Sequence, residues 1–322
     1  MRTIAIAAGG DSPEYGVSVK SAQEVHKALS GKYKAYIIMI RGTNWYWEDE
    51  KGRCFSVDKN DFTLKLDDLK IRFDAVFIAI HGTPGENGLL QGYFDIMGIP
   101  YTTCGSFTSA LTFNKQATKL YLKEYGITMA EALMIRRGEI IDSASVIKKI
   151  GLPCFVKPND SGSSFGVSKV VNSQDLAPAV EKALGESEWV MIEAFMKGRE
   201  VACGVVKTRN RKLILPVTEI ITDNEFFDYE AKYTAGKSKE ITPGALPADI
   251  TENIQSLSSG IYDLLGCKGI VRIDFIVVDN HPWFLEINTV PGMSAESILP
   301  KQALAAGLSQ EELYSMVIEE LF

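Results

Sequence analysis

Arg272-Ile273-Asp274, followed by Glu286-Ile287-Asn288-Thr289-Val290-Pro291-Gly292-Met293-Ser294-Ala295-Glu296-Ser297, is the stretch that decides how this chain is read. Gly269 to Val278 and Trp283 to Asn288 are β-branched and aromatic runs, with Asp279-Asn280-His281 between them. That pattern predicts a β-hairpin. Side chains alternate faces along a strand, so Arg272 and Asp274 share one face, as do Glu286 and Asn288. A guanidinium, two carboxylates and a carboxamide are costly to bury unless something is bound between them. Oxygen-only ligands select a hard cation, and a small protein ligand set leaves room for phosphate oxygens, which points to magnesium carried with a nucleotide. A surface hairpin with its polar residues facing water is the other reading these residues allow.

Outward from the hairpin, 322 residues suggest two or three domains and a large core. There are 34 Lys and Arg against 41 Asp and Glu, a net charge of −7. This disfavours nucleic acid or an anionic membrane as a partner. The apolar run Thr3 to Ala8 is too short for a signal sequence, and no window is long enough to span a bilayer. Five cysteines stand singly, with no CxxC, which argues against zinc and suits a cytoplasmic protein.

Taken in order, Thr3 to Ala8, Lys34 to Ile40 and Phe73 to Ile80 predict strands, with a helix from Val17 to Leu29 and Trp45-Tyr46-Trp47 in an edge hairpin. Two of the strands run into glycine-rich turns, Gly9-Gly10-Asp11-Ser12-Pro13-Glu14 and His81-Gly82-Thr83-Pro84-Gly85-Glu86-Asn87-Gly88. Residues 1–103 therefore predict an α/β domain with a parallel sheet, whose ligands sit beyond the strand ends where Glu14 and His81 fall. Ser106 to Tyr125 predicts one helix carrying Lys115 and Lys119. Residues 104–196 then hold strands at Ile127 to Ile135, Leu152 to Lys157, Val167 to Val171 and Trp189 to Phe195. Residues 197–322 predict antiparallel strands at Glu200 to Thr208 and Lys212 to Ile221, a long loop over 223–247, a helix over Ala248 to Leu265, the hairpin, and a closing helix from Ser309 to Leu321.

The common nucleotide motifs are missing: Ala231 stands where the first glycine of a P-loop ending in Gly236-Lys237-Ser238 belongs, and no GxGxxG occurs. Lys157 followed by Gly162-Ser163-Ser164 supplies another design, in which backbone N–H groups approach phosphate oxygens beside a mobile cation; an ordinary surface loop has the same composition. Glu193-Ala194-Phe195-Met196 could offer backbone groups and apolar walls to adenine, and Glu200 could take ribose hydroxyls; a domain-joining turn would look alike. Lys232 and Tyr233 lie in the long loop, where a lid could exclude water from a labile intermediate or a tyrosine could simply pack. His81 is open between a site and a structural role. Glu14 is open between a helix cap and an ammonium ligand.

In family order and over nearly the whole chain, these residues resemble the ATP-grasp superfamily, and within it the D-alanine–D-alanine ligases. The matching pieces are Gly9 to Ser18, His81 to Gly92, Asn114-Lys115, Phe155 to Gly166, Ile192-Glu193, Gly198-Arg199-Glu200, Asp228 to Tyr233, Arg272 to Asp274 and Glu286 to Met293. The resemblance implies an α/β fold, α+β in the ATP-grasp region: three domains, with ATP gripped between the second and third. It implies ligation of two D-alanines through an acylphosphate, for peptidoglycan precursor synthesis, with D-serine or D-lactate as the alternative second substrate. Lys115, Lys157 and Lys232 would contact ATP phosphates, Glu193 to Met196 adenine and Glu200 ribose. Asp274, Glu286 and Asn288 would bind two magnesium ions, which manganese could replace. Arg272 and the Gly292 N–H would stabilise the tetrahedral oxyanion, and Glu14 would receive the first D-alanine's ammonium. Ser163, Tyr233 and Ser297 would connect that site to the lid and the second substrate, with His81 and Ile298 nearby. A homodimer is expected on the same ground. Thr128-Met129-Ala130 replaces a proline-containing segment common in the family, and Ile298 stands where leucine is usual.

Overall fold

The fold, a computed structural model, describes residues 1–162, 165–222 and 238–322. β1 (Thr3–Gly9), α1 (Tyr15–Leu29), β2 (Lys34–Arg41), β3 (Asn44–Glu48), β4 (Cys54–Asp58), β5 (Thr63–Leu66), β6 (Leu69–Ile71) and β7 (Ala75–Ile78) build the first sheet, in the order β6-β5-β4-β3-β2-β1-β7. Its parallel part is β2-β1-β7; β3 to β6 extend it antiparallel. The Trp45 strand is thus interior to the sheet and not at its edge. Its aromatic side chains interlock with Phe62 and Tyr93 in edge-to-face pairs. β1 is buried from Ile4 onward, as the continuous apolar run requires of a central parallel strand.

After α2 (Leu89–Met97), the stretch predicted as one helix is two, α3 (Ser106–Phe113) and α4 (Lys115–Lys123). Asn114 takes extended dihedrals between them, and its side chain accepts from the Ala117 N–H as the cap of α4. β8 (Ala132–Arg136), α5 (Ser143–Ile150), β9 (Cys154–Pro158), β10 (Ser168–Val170), α6 (Leu176–Leu184) and β11 (Trp189–Ala194) follow. Their antiparallel sheet has the order β10-β9-β11-β8.

The third sheet uses β12 (Arg199–Lys207), β13 (Lys212–Ile214), β14 (Thr218–Thr222), β15 (Ser238–Ile241), then, after α7 (Ala248–Leu264), β16 (Ile270–Val278) and β17 (His281–Asn288). Its order is β15-β14-β12-β16-β17, with β13 also on β12. The predicted strand Lys212 to Ile221 is therefore broken at Leu215-Pro216-Val217, and part of the expected loop is β15. Buried Gln302, from α8 (Ile298–Ala305), fills the resulting gap along β12: it donates to Ala202 O and accepts from Gly204 N–H at 2.8 and 3.0 Å. α7 buries Ile250, Ile254 and Ile261 against Val201, Cys203, Ile273 and Phe275. α9 (Gln310–Glu319) returns to the first sheet, packing Leu313, Tyr314, Val317 and Ile318 with Ile4, Val25, Leu29 and Phe77. Among the described residues, no helix is long and apolar enough to cross a membrane.

Candidate active site

The β16–β17 turn is Asp279-Asn280, both residues at positive φ, 47° and 64°, the twist-matched geometry of a two-residue hairpin. Its register places Asp274 opposite Glu286 and Arg272 opposite Asn288. All four polar side chains therefore leave one face, while Val271, Ile273 and Phe275 fill the core on the other. The register slips between Asp274 and Phe275, so that Phe275 pairs with Phe284 and Leu285 is the extra residue. This bulge sends Phe284 inward, its ring 6.4 Å from that of Phe275, and lets Glu286 face the cleft two residues later. Arg272 grips Asp274 through two N–H···O bonds of 2.8 and 2.7 Å, and Asn288 Nδ2 donates to Asp274 Oδ2 at 3.2 Å. On β12, Ala202 faces Asp274, which puts Glu200 on the same face one alternation further along. Ile298 is buried against Ala202 and Ile220.

Across the cleft, the start of α4 is stapled to the loop after β9. Lys115 N–H donates to Asn159 O and Gln116 N–H to Asn159 Oδ1, at 3.2 and 2.9 Å, and the Lys115 ammonium donates to Ser161 O. Lys115, Ser161 and Gly162 line one cavity with Glu286 and Asn288. Lys115, Lys119 and Lys157 line a second with Glu286 and Phe284. Thr112, Lys115, Glu286 and Ile287 line both, so the two cavities adjoin along a cleft between the second and third sheets.

The Glu193 side chain sits beneath this cleft, paired with Lys157 at 2.5 Å and with Lys119. Burial would raise its carboxyl, but the ammonium groups of Lys157 and Lys119 outweigh burial and hold it below the ordinary carboxylate range. Burial and the neighbouring Lys157 lower Lys119. The Glu193 carboxylate is thus committed to two lysines, and just beyond it Phe195 packs 5.9 Å from Phe155. Lys119 was not singled out from sequence as a site residue; its spacing of four from Lys115 on a helix was the available signal.

Glu14 is buried between the C-terminal end of β1 and the start of α1, so close to Gly162 that a Cβ there would lie 2.3 Å from Glu14 Oε2. The glycine is required for that approach. Both His81 ring nitrogens have protein partners, Val290 O at 2.7 Å and Ser21 Oγ at 2.9 Å. The structural role left open from sequence thus describes its contacts. Glu86, unremarked within its glycine-rich turn, accepts from Gly82 N–H and Val290 N–H at 2.7 and 3.2 Å. Burial, with the Glu14 charge, pushes its carboxyl up to about 8. A Cβ on Gly292 would lie 2.7 Å from Ser297 Oγ, and Ser297 Oγ is 2.8 Å from Ser294 Oγ. Ser163, Lys232 and Tyr233 lie outside the described residues.

Asp274, Glu286 and Asn288 offer oxygen ligands on one face. Among the described residues no group of three or more His, Cys, Asp or Glu side chains forms a complete metal cage. Two carboxylates and an amide oxygen fit a hard divalent cation that keeps other positions for phosphate or water.

Three sheets in this order, with the polar face of β16 and β17 turned toward the second sheet, define an ATP-grasp ligase fold. Family models described as D-ala D-ala ligase N-terminus and D-ala D-ala ligase C-terminus match residues 3–104 and 121–319. A D-alanine–D-alanine ligase of Phocaeicola vulgatus is 50% identical over 323 residues, covering 100% of this chain and 99% of that protein. Among solved structures, the VanG D-Ala:D-Ser ligase of Enterococcus faecalis superposes with a TM-score of 0.87 at 31% identity, covering 100% of this chain and 99% of that one. The Bacillus anthracis D-alanine–D-alanine ligase complexed with ATP does so with a TM-score of 0.79 at 28% identity, over 99% and 97% of the two chains. The chain belongs to the D-alanine–D-alanine ligase family.

Proposed function

We propose that the chain joins two D-alanines into D-alanyl-D-alanine with ATP as the energy source, supplying a peptidoglycan precursor in the cytoplasm, and works as a homodimer. The observation that carries this reading is the polar face of β16 and β17, Arg272, Asp274, Glu286 and Asn288, set across a cleft from Lys115 and Gly162. Phosphoryl transfer needs alignment and charge neutralisation more than a nucleophilic side chain. In this proposal residues 1–103 hold the first substrate, and residues 104–196 and 197–322 grip ATP.

The first D-alanine binds with its ammonium on Glu14. Its carboxylate attacks the γ-phosphorus, releasing ADP and leaving an acylphosphate. The amine of the second D-alanine then attacks the acyl carbon, a proton is lost, and the tetrahedral adduct expels phosphate. Lys115, Lys157 and Lys232 neutralise phosphate charge, Glu193 to Met196 hold adenine, and Glu200 holds ribose. Arg272 and the Gly292 N–H stabilise the tetrahedral oxyanion. Asp274, Glu286 and Asn288 would hold magnesium, or manganese in its place, which supplies charge neutralisation at the β- and γ-phosphates. Until substrates arrive, the Arg272–Asp274 fork keeps two buried charges compensated. Ser163 and Tyr233 link Glu14 to the lid, and Ser297 with Ile298 borders the second substrate.

A panel of D-alanine, D-serine and D-lactate with ATP and magnesium, read by product mass, tests the assignment. D-alanyl-D-alanine is the expected main product. Turnover confined to D-serine or D-lactate as second substrate would replace it with the activity of the alternative ligases.

A further inference from the structure

Between Asn288 and Ser297 the chain leaves the third sheet and runs beneath the first, and side chains from elsewhere hold its backbone. Val290 is gripped twice: its C=O accepts from His81 Nδ1 at 2.7 Å, and its N–H donates to Glu86 Oε1 at 3.2 Å. Met293 is also gripped twice: its N–H donates to Ser21 Oγ at 3.2 Å, and its C=O accepts from Tyr314 OH at 2.9 Å. Pro291-Gly292 is suspended between these two pinned residues. Backbone groups of a connecting segment ordinarily pair with other backbone or water. Four side chains from three places in the fold, the turn from His81 to Gly88, α1 and α9, converge on two residues and fix a position more tightly than any one of them could.

The proton positions follow from the partners. A carbonyl only accepts, so His81 Nδ1 carries the hydrogen and Nε2 of the neutral ring accepts from Ser21 O–H. Ser21 Oγ then has a lone pair for Met293 N–H, and the relay closes without a charged imidazole. Burial lowers the His81 pKa, which favours that neutral form. The same residue reaches the other side of the site: His81 O accepts from Ser12 Oγ at 2.8 Å, and Ser12 Oγ accepts from Glu14 N–H at 3.2 Å. Glu86 braces this turn through Gly82 N–H at 2.7 Å.

We infer that His81, Glu86 and Ser21 are positioning residues that aim the Gly292 N–H and hold it in register with Glu14. The oxyanion donor and the ammonium site of the first substrate lie in segments that follow strands of different sheets, and this clamp is a polar connection between them. The inference rests on the proposed ligase reading, in which Gly292 acts on the second chemical step. Loosening the clamp should therefore slow capture of the acylphosphate more than its formation.

Full-length Ser21→Ala, Glu86→Gln and the double variant test this. Ser21→Ala removes one hydroxyl and little volume, so it retains the fold. Each reaction with ATP, magnesium and D-alanine is quenched into hydroxylamine, which displaces phosphate from any acylphosphate and leaves D-alanine hydroxamate. The expected result is about a tenfold loss of dipeptide turnover in each single variant, a higher hydroxamate-to-dipeptide ratio and a KM for ATP within about twofold of the parent. The double variant should lose less than the product of the two single losses, because both act through one donor. Full turnover in Ser21→Ala and Glu86→Gln would overturn the clamp, as would hydroxamate and dipeptide falling together, or losses that multiply. Failure of the unaltered protein to form the dipeptide would instead overturn the ligase reading.

Discussion

Arg272 illustrates how little latitude a single side chain has in this cleft. Its fork to Asp274 uses two parallel N–H···O bonds, a geometry that lysine, a point charge, cannot reproduce. Arg272→Lys keeps the charge, so ATP should still bind with a KM within several-fold of the parent. Turnover should fall by roughly 10²-fold, as when an oxyanion donor is lost. Steady-state kinetics separate the two, and an equal loss in both would sink the transition-state role. Glu193 makes the complementary point about a buried charge. Its carboxyl lies below the ordinary range in the folded chain, so it contributes stability that is present at neutral pH and is lost as pH falls through the carboxylate range. Glu193→Gln leaves the Lys119 and Lys157 ammonium groups without their shared counter-ion. The expected cost is about 3–5 kcal/mol at pH 7, shrinking in acid as the parent's own carboxylate takes up a proton. Urea denaturation at several pH values measures this; a cost that does not change with pH would rule out the charge argument.

Elements bring these residues together, and the loop after β9 does so with glycine. Gly162→Ala drives a methyl group to within 2.3 Å of Glu14 Oε2, so either the loop or the carboxylate must move. Such overpacking costs about 1 kcal/mol or more, and the KM for D-alanine should rise roughly fivefold or more while that for ATP changes little. A rise in the ATP value alone would mean that the loop does not touch the ammonium site. The hairpin and its polar face were legible in advance, because Asp279-Asn280-His281 marks the turn region and period-two alternation puts Arg272 with Asp274 and Glu286 with Asn288, although the structure takes His281 into β17 and leaves a two-residue turn. The bulge at Leu285 was not, since it depends on how Phe284 packs against Phe275 and leaves no local signature. The break at Asn114 could have been read, because asparagine is a strong N-cap, but the apolar pattern continues through it. Without that break Lys119 looked like one more helix surface lysine. Strands β4 to β6 went unassigned because each is short and partly exposed, so burial stamps little pattern on them. Glu86 was hidden for another reason: its partners are backbone N–H groups, one of them 204 residues away, and no spacing rule encodes a contact of that range.

The whole molecule is closed by its last helix, which ties the two ends of the chain into one core. Leu313, Tyr314, Val317 and Ile318 of α9 are buried with Ile4, Val25, Leu29 and Phe77 of the first sheet and its helix. Val206 and Ile270 of the third sheet join the same cluster, so the first and third units share apolar contacts as well as a cleft. Tyr314 also reaches Met293 O with its hydroxyl, which couples the packing of this core to the segment carrying Gly292. Burying each of four such side chains contributes about 1.5–3 kcal/mol. Their sum is comparable with the roughly 5–15 kcal/mol that separates a folded domain from its unfolded chain. The helix begins with a capping box, Ser309 and Glu312 bonded reciprocally, so its start is well defined and a cut before residue 310 removes it cleanly. A chain ending at residue 309 should therefore lose the cooperative unfolding of the first sheet, seen as a lost near-ultraviolet signal from its tryptophans and aromatic cluster. Dipeptide synthesis should disappear with it, because Glu14 and His81 ride on that sheet. Adding a synthetic peptide of residues 306–322 in excess should restore part of the signal, since the groove it fills is specific. A truncated chain that melts at the parent's temperature and still makes dipeptide would show that the first sheet carries its own stability and that α9 is only a cover.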